Sequence, residues 1–452
     1  MTSTRRRFIG STTALAAGAF VLPRFSIGQS GPSANSRLNL AFIGVGGRGE
    51  KNLQGLSQEN VVALCDVDDR EAAASFGKWP KAKRFKDFRE MLDKMGGEID
   101  GVVISTPDHT HFAATMAAME CGKHVFCEKP LTHNVWQARM LKKGAAHYKV
   151  VSQMGNQGHA TEGIRYMKEW YEAGALGQVR EVHAWLSGPN FGSRYFAKAA
   201  NHPPAAQPVR DGLDWDLWLG PVAKDIPYNE IYVPKRWRSY YDFGGGLLGD
   251  WTCHTLDGPF WALGLGMPSR IEAVKKTGND SLVCPDASVI RYDFAARGDK
   301  APVSILWYEG GNRPEIRKEW GIEKLGGDGM IMSGDKASLM SGTRPDSPRL
   351  IPGDVWQDFR RDLPEKTIPR VKGGHYREWT AAIKGDGPAP GSSFDYASEL
   401  TEMLLLGVLV QRFGGRLDYD AATMKVTNRP ELDAHLREPV REGWEFGKAV
   451  AG

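Results

Sequence analysis

A glycine-rich turn early in the chain is the first group of residues whose spacing points to chemistry. Glycines at positions 44, 46 and 49 form the pattern G-x-G-x-x-G, directly after an apolar run and directly before a segment of helical spacing. Glycine lets a backbone turn tightly and approach a ligand closely, and the helix N-terminus that follows favours an anion. Asp66 lies twenty residues beyond Gly46, where an adenine ribose hydroxyl needs an acceptor. These features predict a dinucleotide site, whose contacts in the turn are Gly44, Gly46, Gly47, Arg48 and Gly49.

The acid at position 66 also bears on which nicotinamide dinucleotide is bound. A carboxylate accepts hydrogen bonds from a 2'-hydroxyl group but repels a 2'-phosphate group. Asp68 and Asp69 follow closely, and Arg70 is the nearest cation after them. The sequence therefore favours NAD over NADP.

Alternating strand and helix patterns position these residues. Near-continuous apolar runs predict strands at residues 38–43, 61–65, 101–105, 124–127 and 148–152. Helical spacing predicts helices near residues 48–57, 84–95, 111–121 and 134–146. Apolar strands separated by amphipathic helices indicate a parallel sheet covered on both faces, with ligands beyond the carboxyl ends of the strands. Residues 36–155 are therefore expected to form an α/β, doubly wound Rossmann domain.

Residues that follow two of these strands carry a resemblance to a known family. Thr106-Pro107 and His111 follow the strand at 101–105, and Glu128-Lys129-Pro130 follows the next strand. With the glycine turn and the segment GGGLLGDWTCH at residues 244–254, they resemble the Gfo/Idh/MocA oxidoreductases over nearly the whole chain after residue 35. Besides the turn and Asp66, the cofactor contacts expected from this resemblance are Thr106, Pro107, His111, Glu128, Lys129 and Asn156.

The resemblance also implies a catalytic centre. In the family, the lysine of Glu-Lys-Pro reaches between nicotinamide and substrate, and an Asp-x-x-x-His pair completes the site; Lys129, Asp250 and His254 occupy these positions. Moving a hydride from a carbinol carbon requires a base for the hydroxyl proton and a cation for the forming oxyanion. We expect His254, titrating near neutrality, to be the base and Lys129 the polarising group, while Asp250 orients the ring or shares the proton transfer. No catalytic metal is expected, because His109 and His111 lack a convincing third ligand.

Residues 156–452 are expected to form a second, α+β domain that binds substrate and makes oligomer contacts. Alternating runs near residues 179–186, 271–275, 288–294 and 303–307 predict long strands. The resemblance implies a large, mostly antiparallel open sheet whose outer face often forms a dimer or tetramer contact. The segment 340–367 is rich in Pro and Asp and is expected to be a surface excursion. A homo-oligomer is the expected assembly.

Aromatic and cationic residues of the second domain are candidates for binding a carbohydrate. Aromatic rings stack on the C–H faces of sugars, and arginines hold hydroxyl or carboxylate groups. Many family members have two arginines after the residue matching Asn156; this chain lacks them, and His159 is the candidate polar contact instead. The predicted substrate contacts are Lys129, His159, Arg236, Trp237, Tyr240, Tyr241, Asp250 and His254.

The N-terminal residues have the form of a twin-arginine export signal. Three arginines at positions 5–7 precede Phe8-Ile9 and a weakly apolar stretch through Leu22, which is too short and too rich in small residues for a good membrane span. Residues 1–35 are therefore expected to be signal and linker, and the protein to be periplasmic or otherwise exported by the twin-arginine machinery. Because that pathway carries folded proteins away from the cytoplasmic nicotinamide pool, the cofactor is expected to be tightly bound and internally recycled.

Three functions remain open from the sequence. The first is a nicotinamide-dependent oxidoreductase acting on a sugar or sugar derivative. The second is a redox-neutral glycoside hydrolase or lyase, resembling NAD-dependent α-N-acetylgalactosaminidases that transiently oxidise C3. The third is a non-catalytic sugar-binding protein with a vestigial cofactor site. A net charge of +4 gives no case for nucleic acid, and five cysteines without a C-x-x-C pair indicate inert thiols, with one disulfide left open.

Overall fold

Two β-sheets of different kinds organise the chain. The computed structural model describes residues 37–278 and 280–451, and Leu38–Gly452 form one compact unit by their internal contacts. The export signal predicted at residues 1–35 lies outside the described residues. Within the described ranges, no helix is long and apolar enough to cross a membrane.

The first sheet is a parallel Rossmann sheet. Its strands are β1 Asn39–Ile43, β2 Asn60–Cys65, β3 Lys83–Phe85, β4 Gly101–Ile104, β5 His124–Cys127 and β6 Ser152–Met154. Its helices are α1 Arg48–Gly55, α2 Asp69–Lys78, α3 Phe88–Met95, α4 Asp108–Glu120 and α5 Val135–Tyr148. The strand order β3-β2-β1-β4-β5-β6 reverses direction between β1 and β4, which opens a crevice for a ligand at the carboxyl ends of these strands. The predicted doubly wound α/β fold is confirmed.

In the Rossmann domain, two local predictions were wrong and one helix was not predicted. The strand predicted at 148–152 begins too early, since β6 is Ser152–Met154. Helix α5 continues to Tyr148, and Lys149 ends it with a left-handed backbone (φ 55°). The helix predicted at 84–95 divides into β3 and α3, since the Asp87 side chain caps a new helix. No sequence pattern predicted α2, whose N-terminus is capped by the side chain of Asp68. In each case a local capping interaction sets a boundary that hydrophobic periodicity does not show.

The second sheet has nine strands and is mostly antiparallel. Its strands are β7 Val179–Trp185, β8 Arg270–Thr277, β9 Ala287–Phe294, β10 Val303–Glu309, β11 Gly329–Gly334, β12 Ser338–Ser341, β13 Arg349–Ile351, β14 Arg416–Asp420 and β15 Lys425–Val426. The strand order is β13-β12-β11-β7-β10-β9-β8-β14-β15, and β7 and β10 pair in parallel. The helices of this half are α6 Glu162–Glu172, α7 Trp215–Leu219, α8 Gly246–Thr255, α9 Asp257–Leu263, α10 Gly353–Phe359, α11 Gly374–Lys384, α12 Phe394–Phe413 and α13 Asp433–Leu436. The expected mostly antiparallel sheet is confirmed.

The segment at 340–367 is more ordered than the sequence suggested. It contains the end of β12, all of β13 and all of α10, and Leu350 and Ile351 are buried in the sheet. The prediction of a surface excursion was therefore wrong for residues 340–351, because these strands are too short to show an alternating pattern. Residues 353–367, which include α10, do lie at the surface and contain no buried residue.

The C-terminal helices join the two sheets into one body. Helix α12 packs against α5 on one side and against α8, β8 and β9 on the other. Trp379 of α11 is fully buried on the first sheet. The carboxyl edge of the Rossmann sheet is therefore held close to α8, which carries the predicted Asp-x-x-x-His pair.

Candidate functional site

A cavity of about 510 Å³ lies between the carboxyl edge of the first sheet and α8. Both halves of the chain contribute predicted residues to its wall. Those that line it are Gly44, Gly46, Gly47, Arg48, Asp66, Thr106, Pro107, Glu128, Lys129, Trp237, Asp250 and His254. The cofactor residues of the first half and the catalytic residues predicted for the second half therefore face a single space.

The glycine turn fits a pyrophosphate group. Gly44 has a φ of 77°, and a Cβ atom on it would lie 2.8 Å from the carbonyl oxygen of Ser105. A Cβ atom on Gly46 would lie 2.9 Å from the Glu71 carbonyl oxygen, and one on Gly49 would lie 1.9 Å from that of Gly44. Side chains are thus excluded from the turn, and α1 begins there without a side-chain cap. The Gly49 N–H donates to the Gly46 carbonyl oxygen, and the rest of this helix N-terminus is left to bind an anion.

Asp66 stands at the end of β2 as a fixed acceptor. Its Oδ2 atom accepts the Val45 N–H at 2.8 Å, and its Oδ1 atom accepts the Asp68 N–H at 3.0 Å. Burial raises the pKa of Asp66 to about 6, against the opposing effect of the Val45 hydrogen bond. At neutral pH the group is therefore ionised, and it lines the cavity where an adenosine ribose is expected.

Glu128 supports the loop that carries Lys129. Its Oε1 atom accepts hydrogen bonds from Arg48 Nε at 2.6 Å and from Asn52 Nδ2 at 3.0 Å. Burial alone would raise the pKa of Glu128, but the Arg48 guanidinium outweighs it and holds this pKa below its ordinary value. The carboxylate is thus charged and paired. It connects Glu128, the residue before Lys129, to Arg48 at the start of α1.

Lys129 is held by Asp250 across the cavity. Its Nζ atom donates to Asp250 Oδ1 at 2.6 Å and to the Asp250 carbonyl oxygen at 2.9 Å. Arg238 Nε lies 3.4 Å from the same Oδ1 atom. Although burial opposes ionisation, Lys129 and Arg238 lower the pKa of Asp250 below its ordinary value. Asp250 is therefore an ionised anchor for the ammonium group and does not share the proton transfer at neutral pH.

The ring of His254 is oriented by Asn156. His254 Nδ1 lies 3.0 Å from Asn156 Oδ1, and Asn156 Nδ2 donates to the Cys253 carbonyl oxygen at 2.9 Å. Because that second bond fixes the direction of the amide, Oδ1 must accept, and the imidazole proton must lie on Nδ1. The Nε2 atom of the neutral ring is left with a lone pair.

Two expectations about this histidine are corrected. Asn156, which is fully buried and absent from the cavity wall, orients the ring, whereas Asp250 is engaged with cations. Burial, followed by the charges of Lys129 and Arg344, lowers the pKa of His254 well below its ordinary value, so the group does not titrate near neutrality. His254 is a neutral base at physiological pH.

His111 lies behind the cavity wall. Its Nδ1 atom is 2.8 Å from the Pro130 carbonyl oxygen, and its Nε2 atom is 2.9 Å from that of Thr106. Burial lowers its pKa to about 4. The neutral ring has one N–H and donates to one of these two carbonyl oxygens. It lies between the loops that follow β4 and β5, and it contributes to the site through their position.

Four of the predicted substrate residues are absent from the cavity lining. His159 is buried, with Nδ1 at 2.9 Å from Asp257 Oδ1. The Tyr241 ring is buried in the core of the second half, and its hydroxyl group faces α12. Tyr240 packs inside an aromatic cluster, and Arg236 does not reach the wall. Apolar packing and buried pairing, which a linear sequence does not show, account for these positions.

Sequence reasoning also missed several residues of the wall. Trp251 and Arg238 adjoin residues that were singled out, so their sequence position was a usable signal. Arg344 lies in the connection between β12 and β13, and no sequence signal places that connection at the cavity. The additional polar and aromatic residues of the wall include Asp108, Gln157, Arg194, Tyr195, Lys235, Arg238, Trp251 and Arg344.

The described ranges contain no group of three or more His, Cys, Asp or Glu side chains that could hold a metal ion. The five cysteines are free; Cys121 is exposed and the other four are buried.

Comparisons with known proteins agree with this architecture. Residues 38–156 match a family model described as an oxidoreductase family with an NAD-binding Rossmann fold, and residues 163–284 match the model of its C-terminal alpha/beta domain. Inositol 2-dehydrogenase 3 of Saccharopolyspora erythraea is 28% identical over 204 residues, which are 44% of this chain and 58% of that protein. An inositol 2-dehydrogenase of Salmonella typhimurium is 25% identical over 209 residues, 44% of this chain and 59% of that protein. The match thus spans less than two thirds of these relatives.

Solved structures share the fold at lower identity. The WlbA dehydrogenase from Bordetella pertussis, in complex with NADH and UDP-GlcNAcA, has a TM-score of 0.58 and 17% identity, covering 85% of this chain and 99% of that one. An inositol dehydrogenase homologue from Azotobacter vinelandii, complexed with NADH and myo-inositol, has a TM-score of 0.55 and 17% identity, covering 85% and 98%. At these identities the likeness shows the fold alone. The two family models together match more than half of the chain, and the chain belongs to the Gfo/Idh/MocA oxidoreductase family.

Proposed function

We propose that the chain is an NAD-dependent oxidoreductase that moves a hydride at a carbinol carbon of a sugar or sugar derivative. The observation that carries this proposal is the pairing of a neutral imidazole with a fixed ammonium group in one cavity. His254 Nε2 has a free lone pair, and Lys129 Nζ is held at 2.6 Å from Asp250 Oδ1 in the same wall. A base and a cation at one carbinol oxygen are what alcohol oxidation requires.

The residues divide the chemistry between them. The substrate hydroxyl group gives its proton to His254 Nε2, and the Lys129 ammonium group stabilises the negative charge that grows on the oxygen. Asp250 fixes Lys129, and Asn156 keeps the His254 proton on Nδ1. The bound nicotinamide supplies a hydride acceptor. In the reverse direction the imidazolium returns the proton to the carbonyl oxygen, so the same residues serve oxidation and reduction.

Relatives and neighbours support a polyhydroxylated ring as the substrate. Two of the most similar curated proteins are inositol 2-dehydrogenases. Two structural neighbours contain NADH together with myo-inositol or with UDP-GlcNAcA. These ligands share vicinal hydroxyl groups on a six-membered ring, which a base beside a fixed cation can act on.

We further propose that the cofactor is retained and recycled within the site. A strap, residues 210–214, crosses over the segment that follows β2. The Asp69 N–H donates to the Gly212 carbonyl oxygen at 3.0 Å, and the Asp214 N–H donates to that of Val67 at 2.9 Å. Arg210 forms a two-point ion pair with Asp68, and both side chains are largely buried. The strap does not line the cavity, but these contacts fix the segment after β2, whose residues Asp66, Val67 and Asp68 do. A fixed wall at the expected adenosine end favours slow release of the dinucleotide.

Retention is consistent with export by the twin-arginine pathway, which stays a prediction because it rests on residues 1–35. A periplasmic location and a homo-oligomer likewise stay predictions from the sequence. If all three hold, the protein carries its cofactor out of the cytoplasm and alternates oxidation of one sugar with reduction of another.

The test uses the full chain purified without added cofactor. Denaturation should release NAD or NADH, and a panel of hexoses, uronic acids and cyclitols should change the nicotinamide absorbance at 340 nm. Lys129→Met should abolish that change, whereas Lys143→Met, at an exposed site on α5, should not. Release of aglycone from chromogenic glycosides without net cofactor reduction would instead favour the hydrolase reading. Absence of a redox change with every sugar, despite bound cofactor, would contradict the proposal.

A further inference from the structure

A cation in the substrate end of the cavity has no polar side-chain partner within residues 37–278 and 280–451. Arg344 lines the wall beside Trp251 and His254. Its guanidinium carbon lies 5.0 Å from the centre of the Trp251 ring, and its Nε atom is buried without a hydrogen-bond partner among the described residues. The terminal nitrogen atoms of this guanidinium group also donate to no described residue, so they are available to a ligand in the cavity.

The backbone that carries Arg344 is fixed. The Ser341 hydroxyl group donates to the Arg344 carbonyl oxygen at 3.3 Å, and the Thr161 hydroxyl group donates to the Pro345 carbonyl oxygen at 3.1 Å. Gly163 at the start of α6 lets this connection approach closely, because a Cβ atom there would lie 2.2 Å from the Pro345 carbonyl oxygen. The connection is therefore built into the second half of the chain, and it presents the guanidinium group to the cavity from a rigid support.

The charges around the base are unbalanced. Lys129, Arg238 and Arg344 are three cations in this part of the wall. The carboxyl groups beside them are Asp250, which is ionised, and Asp108, whose pKa burial raises to about 7, so the cations outnumber the carboxylates. The Asp250 carboxylate is already paired with Lys129 and Arg238. His254 is neutral, and the cofactor phosphates have a separate site at the glycine turn. The substrate end thus has an excess of positive charge that a neutral sugar would leave uncompensated.

We propose that the substrate is an acidic carbohydrate whose carboxylate is bound by Arg344 while the sugar edge lies against Trp251. The planar guanidinium group matches a carboxylate with two parallel hydrogen bonds, and an indole ring suits the C–H face of a sugar. This inference rests on the proposed oxidoreductase function and specifies its substrate class. A sugar phosphate carries the same sign of charge, and the experiment separates the two.

The test compares matched pairs that differ at C6: D-glucuronate with D-glucose, and D-galacturonate with D-galactose. The full-chain holoprotein should show at least about a tenfold higher kcat/KM for the acids, as expected for a charge-assisted hydrogen bond. Arg344→Gln should lower the ratio of acid to neutral kcat/KM by about 10- to 100-fold. The control is Arg361→Gln, because the Arg361 side chain is 77% exposed in α10's following turn, and it should leave the ratio unchanged.

Equilibrium dialysis of the same sugars against the holoprotein supplies a readout that does not need turnover. This inference is overturned if neutral and acidic sugars turn over with equal kcat/KM and Arg344→Gln leaves the ratio of acid to neutral kcat/KM unchanged. The oxidoreductase proposal would still stand. Absence of redox change with every sugar would remove the proposed function, and dialysis would still show whether acids bind through Arg344. A stronger preference for D-glucose 6-phosphate than for D-glucuronate would overturn the carboxylate assignment.

Discussion

The contact between Asn156 and His254 gives the sharpest test of the proposed base. Asn156→Asp replaces the neutral acceptor, 3.0 Å from His254 Nδ1, by a carboxylate of nearly the same shape. In the native site the imidazole is neutral because burial and two neighbouring cations lower its pKa well below the ordinary value. A carboxylate at the same position stabilises the imidazolium form and should raise that pKa.

The size of the effect follows from the distance. Opposite unit charges at 3.0 Å attract by about 5 kcal/mol at an effective dielectric constant of about 20. Burying the new carboxylate cancels part of this, and adjacent opposite charges typically move a pKa by about one to three pH units, or roughly 1.4–4 kcal/mol. The acid limb of the kcat profile should therefore move up by about one to three pH units, so that on acidification the variant loses activity at a higher pH than the native protein does.

The assay is the initial rate of nicotinamide reduction with the best sugar of the panel, at saturating NAD, from pH 9 down to the lowest pH at which both proteins stay folded. Asn156→Ala serves as the matched control, because it removes the acceptor without adding charge. It should lower kcat by about tenfold at every pH without moving the acid limb, since the Nδ1 donor is left unsatisfied. The reasoning is refuted if the profile of Asn156→Asp superimposes on that of the native protein, or if both variants lose activity in parallel.

Three further predictions follow from the same geometry. Lys129→Met should lower kcat by about 10²–10³-fold and leave NAD binding within a few-fold, as measured by steady-state kinetics and by cofactor titration; an effect on KM alone would contradict its role at the oxyanion. Arg210→Ala should raise the rate of NAD dissociation at least about tenfold, because it breaks a largely buried ion pair with Asp68. An unchanged dissociation rate in a rapid-dilution experiment would show that the strap does not retain the cofactor. Asp250 has a folded pKa below its unfolded value near 3.9, so its contribution to the free energy of unfolding is present above that value and is lost as pH falls through the folded pKa. In denaturant titrations, the free energy of unfolding of Asp250→Asn should decline less on acidification than that of the native protein. An identical decline in both proteins would contradict this linkage.

The Rossmann half could be predicted from the sequence because each strand is a continuous apolar run. Strands β1, β2, β4 and β5 are buried on both faces, and their composition shows this directly. The elements that were missed, β3 and α2, lie at the edge of the sheet and are short or polar. Their boundaries depend on the capping carboxylates Asp87 and Asp68, whose side chains accept backbone N–H groups of the helices that follow them.

The candidate site could be predicted in part. Lys129, Asp250 and His254 meet in one cavity because motif residues lie at the ends of regular elements, whose geometry follows from the fold. The orientation of His254 by Asn156 could not be predicted, since it depends on an amide direction set by one backbone carbonyl group. Arg344 could not be predicted either, because its connection reaches the cavity through packing against α6.

The aromatic insertion, residues 210–243 between β7 and α8, shows how aromatic residues that suggest a sugar site can have another role once their contacts are known. Trp215 stacks on Trp218 at 4.6 Å, and the Trp218 ring packs 4.9 Å from His109 of α4, whose Nε2 atom is 2.9 Å from the Trp218 carbonyl oxygen. These rings occupy one another's faces, so they hold the insertion against the Rossmann half and leave little surface for a sugar. The strap that carries Arg210 is therefore anchored at both ends, by the ion pair and by this core. Arg210→Ala should accordingly speed NAD release with little change in kcat, whereas Trp218→Ala, which loosens the wall itself, should raise the release rate and lower kcat together.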